Sequence, residues 1–279
     1  MPDRIGPMNL EEMLEQARES YARPGEPGEE AVPELFPGPP TGTCSSEAFV
    51  DRLLDAAFQR SAKLRHPFAI RLARGEWKKH QIQEWVRQEY QGIVYLIRRH
   101  TLLAANCSND ETIWGLLTRV KVEADSDPVG GNFFALPKLW TKFGIALGLS
   151  REELTGFRPH PLLGLFNESS LAEVRFSATL PLRDFVDAML DPLFHQLWGE
   201  SLENSLHPPH DALDFFWAIA SDRWGGETGR SILQGWAGTP EAQAELWSRY
   251  QSEVEQDREW LRFTILQRIL ESRRVETVA

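Results

Sequence analysis

The chain has 279 residues, 42% hydrophobic and 25% charged, with a formal net charge of −11 and a pI near 5.2. That composition is globular and large enough to bury one sizeable core or two smaller ones without staples. The acidic balance excludes a broad electrostatic grip on nucleic acid or an anionic membrane, since both need an excess of Lys and Arg.

The two cysteines, Cys44 and Cys107, suggest neither a disulfide framework nor a thiolate metal site. Residues 1–21 are charged and lack a signal-peptide core, and no window approaches the roughly 18 apolar residues of a membrane span. A cytoplasmic protein is expected.

Residues 9–21 (NLEEMLEQARESY) predict a short amphipathic helix, and the proline- and glycine-rich stretch from Arg23 to Cys44 reads as an extended linker. Residues 1–44 are therefore expected to be a flexible extension, available to a protein partner or a second protomer, ahead of a folded domain at 45–279. Ser45 offers an N-cap for a helix carrying Phe49, Leu53, Leu54 and Phe58. Helical periods continue through 81–106, 112–124 and 134–147, with a break at Pro128–Gly131. Ser150 and Glu153 have capping-box spacing. A less regular stretch, 155–179, precedes helical patterns at 182–202 and 213–236, the second containing Arg223-Trp224-Gly225-Gly226. Thr239 as N-cap and Pro240 at the first helical position open the last helix. Seven or so helices around one core are expected, with no sustained period-2 alternation to suggest strands.

Two stretches carry a resemblance that periodicity does not supply. One runs through His66-Pro67, Gln81 to Val86, Tyr90, Ala105-Asn106-Cys107 and Asp110 to Thr112. The other runs through Gly130-Gly131 and Gly144 to Leu154. In order and spacing they resemble the PQQ-synthase (PqqC) family, a branch of the haem-oxygenase-like, TenA-like superfamily. The resemblance implies an all-α, haem-oxygenase-like bundle with a central cavity for a small molecule, and a homodimer. One branch of the superfamily oxidises its substrate with O2 and no metal; another holds a di-iron centre.

The iron branch carries a His-x-x-x-Asp-x-x-His motif on the helix that stands here at 213–236, and this chain has no histidine after His210. What survives of an iron set is Glu89, His100, Glu123 and His195, with Glu89 and His100 on one side of a helix. Against the metal-free branch, His195 stands at an active-site histidine and Arg99 replaces a lysine. Ala62-Lys63 replaces a Tyr-His pair, and Glu89 and Glu123 replace an arginine and a histidine. Such exchanges reverse the charge of a pocket built for a tricarboxylate, so the expected substrate is a neutral or cationic metabolite, an amine or amino acid.

The roles implied are Glu123 and Glu89 as base or ligands, His195 and His100 as acid–base partners, and Arg99 and Arg223 as charge stabilisers, with Lys63, Tyr90 and Asp222 binding substrate. O2 is the co-substrate, no resident cofactor is expected, and iron is the alternative. A catalytically silent binding protein that keeps the fold is the competing reading. A TenA-like hydrolase would need Cys107 as nucleophile. His207-Pro-Pro-His210 reads as a turn rather than a ligand pair, His66 as a helix cap, and the tryptophans, among them Trp85, Trp114 and Trp140, mainly as core.

Overall fold

The computed structural model describes residues 10–23, 44–124, 135–176, 182–221, 223–255 and 258–272. Among these, every regular element is helical. In chain order they are α1 (Leu10–Ala22), α2 (Ser46–Arg60), α3 (Ala62–Arg65), α4 (Pro67–Ala73), α5 (Lys79–Asn106), α6 (Asp110–Ala124) and α7 (Leu136–Ala146). There follow α8 (Arg151–Thr155), α9 (Pro161–Phe176), α10 (Leu182–Leu206), a 3₁₀ turn (His210–Leu213), α11 (Asp214–Ala220), α12 (Arg223–Trp236), α13 (Pro240–Glu255) and α14 (Arg258–Ser272). No helix among the described residues is long and apolar enough to cross a membrane. The all-α class stands, but the expectation of some seven helices around one core does not, because several long patterns divide.

The chain forms two compact units. Unit 1 draws on Met1–Arg74, Pro181–Trp198 and Ile219–Leu261; unit 2 on Gly75–Leu180, Gly199–Ala218 and Arg262–Ala279.

In unit 1, α2 packs against α3, α12 and α13. Ser45 caps α2 by accepting from the Ala48 amide at 3.1 Å, and Phe49, Leu53, Leu54 and Phe58 are buried, as a 3.6-residue period requires. Phe58 stacks on Phe194, and Phe49 meets Trp247 edge-on. His66 caps α4, its Nδ1 accepting from the Phe68 amide at 3.0 Å, with Pro67 at the first helical position, where a missing N–H costs nothing. The apolar face of α1 is covered within this unit. Met13, Ala17 and Tyr21 are buried, the Tyr21 hydroxyl donates to the Lys63 carbonyl at 2.6 Å, and Arg74 Nε donates to the Tyr21 carbonyl at 2.7 Å.

The glycines of α12 neither end nor divide it; the helix begins before them, at Arg223. A Cβ on Gly229 would lie 2.8 Å from the Phe185 carbonyl oxygen, and one on Gly226 would lie 3.9 Å from that of Ala188. The missing side chain at Gly229 lets α12 lie against the backbone of α10.

In unit 2 the long α5 carries α6, α7, α8 and α9. Its core is aromatic: Trp85, Trp140, Phe143, Phe215 and Phe216 are buried in mutual ring contact, and Trp140 Nε1 donates to the Val86 carbonyl at 2.9 Å. Both bonds of the Ser150–Glu153 capping box are present. The stretch read as irregular at 155–179 contains the helix α9. Leu162 and Leu165 point outward there, 52% and 65% exposed, which blurs the apolar period. Trp114, read with the core tryptophans, is 69% exposed. The linker at 24–43 and the break at Pro128–Gly131 lie outside the described residues.

Candidate active site

A set of half-buried charged groups in unit 1 is built on α10. Arg183, Asp187, Asp191 and His195 follow one another at four-residue spacing, so they form one polar stripe along the helix. Glu253 of α13 fastens the start of that helix, its carboxylate accepting from the amides of Leu182 and Arg183 at 3.1 and 2.8 Å.

Opposite the stripe stands Lys63. It lies in the one-turn helix α3, whose first turn is held by Ser61 Oγ accepting from the Lys63 amide at 3.2 Å. The side chain is buried, and its Nζ pairs with Asp191 and, at 3.3 Å, with Glu259. Burial alone would favour the neutral amine, but Asp191, Glu259 and Asp187 outweigh it and hold Lys63 protonated. Arg183 Nε donates to Asp187 at 3.2 Å.

A cavity of about 40 Å³ opens among these groups, lined by Arg60, Ser61, Arg183, Asp187, Tyr250 and Glu259 with Ala57, Ala62, Leu190 and Val254. It has room for water, and at least one such molecule is accommodated by about 10–15 Å³. Burial pushes the Tyr250 hydroxyl well up, so it stays a neutral donor there. His195 holds its Nδ1 against the Asp191 carbonyl at 2.8 Å. A carbonyl only accepts, so Nδ1 carries the proton of the neutral ring. Burial lowers the His195 pKa, which favours that neutral form.

Of the residues singled out from the sequence, Lys63 and His195 are thus brought together, joined through Asp191. Arg223 belongs to the same unit by its place on α12, but its side chain, like Asp222, lies outside the described residues, and so does the side chain of Glu123 on α6.

Glu89, Tyr90, Arg99 and His100 lie on α5 in unit 2. Glu89 and His100 are buried, and Glu89 forms an ion pair with Arg262. Burial draws the Arg262 pKa down to about 10, which leaves it charged near neutrality. Arg99 is committed to α9, donating to the carbonyl and hydroxyl of Ser170 at 2.8 and 2.7 Å and lying 3.7 Å from Glu173.

Of the iron set drawn from the sequence, the side chain of Glu123 lies outside the described residues. Glu89 is engaged by a guanidinium, and no group of three or more His, Cys, Asp or Glu among the described residues is placed to hold a metal ion. Cys107 ends α5, its thiol 3.6 Å from the Asn109 carbonyl, with no base placed against it by any described contact. His207 and His210 flank a turn, as read; His210 lies at the surface, 3.3 Å from Glu203.

The sequence reading missed Asp187, Asp191, Arg183, Glu259, Tyr250 and Tyr21. The four-residue stripe from Arg183 to His195 is a signal that could have revealed the α10 members. Tyr21, Tyr250 and Glu259 come from distant parts of the chain, and nothing local marks them.

The fold is thus an all-α one whose first unit encloses a mixed-charge cavity. A model of the TENA/THI-4/PQQC family matches residues 54–211, more than half of the chain, and the chain belongs to that family. The match takes in Lys63, Asp187, Asp191 and His195 and leaves out Tyr21, Tyr250 and Glu259. The chain is similar to a 4-aminobenzoate synthase of Chlamydia muridarum, 32% identical over 111 residues that cover 40% of this chain and 44% of the relative. It is also similar to the pyrroloquinoline-quinone synthases of Klebsiella pneumoniae, 29% over 167 residues (60% and 57%), and Acinetobacter baumannii, 27% over 141 residues (50% and 47%). It spans about half the length of the curated relatives it matches.

Proposed function

We propose that this protein is an O2-dependent oxidase of a small metabolite in a biosynthetic pathway, acting at the unit 1 cavity on an uncharged or cationic molecule such as an amine or amino acid. Its relatives named as synthases support the biosynthetic part of the reading. The observation that carries the substrate class is the pairing around the cavity: Lys63 is divided between Asp191 and Glu259, and Arg183 is held by Asp187. A multi-anionic quinone precursor would have to compete with the half-buried carboxylates that already hold these cations. A hydrogen-bond donor or an ammonium group meets acceptors instead.

At about 40 Å³ the cavity is far below the roughly 300 Å³ of an ordinary ligand pocket, so a metabolite enters only as the walls move apart. The Asp187 carboxyl, which lines the cavity, is the group suited to proton transfer, and Tyr250 is the neutral donor. O2 takes the electrons, and no step is assigned to iron. The competing reading, a silent binding protein, fits poorly with so many ionised groups kept out of water, because burying charge without use is costly.

Oxygen uptake by the full chain against a panel of amines, amino acids and polycarboxylates tests the reading. Uptake is expected with a member of the first two classes and not the third; uptake with polycarboxylates alone would reverse the substrate class.

A further inference from the structure

We propose that Asp187 is the acid–base residue of the unit 1 cavity, the carboxyl through which a bound molecule exchanges a proton. The inference rests on the reading of that cavity as the active site and deepens it by naming the group that moves the proton. Position and partners single Asp187 out. It lines the cavity. Asp191 and Glu259 share Lys63, so protonating either one withdraws a counter-charge from a buried ammonium. Asp187 instead accepts one hydrogen bond, from Arg183 one turn earlier at 3.2 Å, and keeps 30% of its side chain accessible.

The groups that face it come from every wall: Arg60 from α2, Lys63 from α3, Arg183 and Asp191 from α10, Tyr250 from α13 and Glu259 from α14. Burial pushes the Asp187 carboxyl up to about 6; Lys63 and Arg183 oppose the rise, and Glu259 and Asp191 add to it. Both forms are then populated close to neutrality, where a general acid or base works best. As the carboxylate, Asp187 takes a proton from an O–H, N–H or acidic C–H of the bound molecule. The electron pair of the broken bond stays on that molecule, and Asp187 becomes the neutral acid. Arg183 stays beside it in both forms, and no oxidant enters this step.

The test is a carbon-13 NMR titration of the full-length chain labelled at its aspartate carboxyls, wild type against Asp187→Asn, with thermal melting as the control for folding. One aspartate is expected to titrate near pH 6 in the wild type and to be missing from the variant. Should the Asn variant not fold, Asp187→Glu keeps the charge and still removes the resonance from the aspartate spectrum. A resonance near pH 6 that survives both substitutions, or a wild type in which every aspartate titrates below about pH 5, overturns the proposal.

With a metabolite that drives oxygen uptake, Asp187→Asn is expected to lower kcat roughly 100-fold or more with KM little changed, and to remove the limb near pH 6 from the kcat/KM profile. An unchanged limb overturns the role of Asp187 and leaves the oxidase reading standing. Absence of uptake with every metabolite sinks the oxidase reading, and the titration alone then decides Asp187.

Discussion

Two clusters of charge, one in each unit, follow different plans. In unit 2 Glu89 is paired with Arg262 on α14, and Arg99 is held against α9. In unit 1 a single ammonium, Lys63, is divided between two carboxylates, and a third, Asp187, stands at a cavity with Arg183. A matched pair is satisfied by its own geometry and asks nothing of a ligand. A shared cation beside an additional carboxyl keeps a proton in play, and chemistry needs such a proton.

The largest effect should come from breaking the shared cation. Lys63→Met leaves the half-buried Asp191 and Glu259 without their ammonium and should cost on the order of 2–4 kcal/mol in urea unfolding. A loss below about 1 kcal/mol would show that water already screens the cluster.

Unit 1 should also be the acid-sensitive one. Burial holds His66 neutral and draws its pKa down from 6.5 to about 4, so the unfolded chain binds the extra proton first. The stability this contributes is whole above about pH 6.5 and is lost as the pH falls towards 4, on the order of 3 kcal/mol. His66→Asn keeps a capping acceptor and should flatten stability over that window; an unchanged slope would assign the sensitivity to another group.

In unit 2, Glu89→Leu strands Arg262, whose side chain is 30% exposed, and should cost roughly 2 kcal/mol. Adding Arg262→Leu should restore most of it. Failure of the second change to restore stability would mean that Glu89 has a further buried role, closer to the unit 1 plan. The smallest effect is expected from Tyr21→Phe, about 1 kcal/mol for the hydrogen bond to the Lys63 carbonyl. No change at all would make α1 an apolar cover rather than a support for the lysine.

Much of the fold was legible because it rests on local rules. Ser45, Ser150 and the His66-Pro67 step act as the caps their chemistry predicts, and the 3.6-residue period placed α2 and α5. It failed at α9, where Leu162 and Leu165 face outward, and at α12, where glycines usually taken as breakers lie inside the helix and Gly229 serves a close approach to α10. The site was less legible. Lys63 and His195 could be found by their positions in the family pattern, but their partners Asp191 and Glu259 lie 128 and 196 residues beyond Lys63 in the chain. Tertiary structure makes those contacts, and no spacing rule reaches so far. Glu89 was read as a site residue because it stands where the resembled family has an arginine and shares one side of a helix with His100; the arginine that engages it comes from α14, 173 residues away.

The most direct test of the account is oxygen consumption by the full-length wild type and by Asp187→Asn, across uncharged, cationic and polyanionic metabolites. The account predicts uptake with at least one uncharged or cationic compound, lost in the variant. No uptake with any compound, or equal uptake by the two proteins, would contradict it.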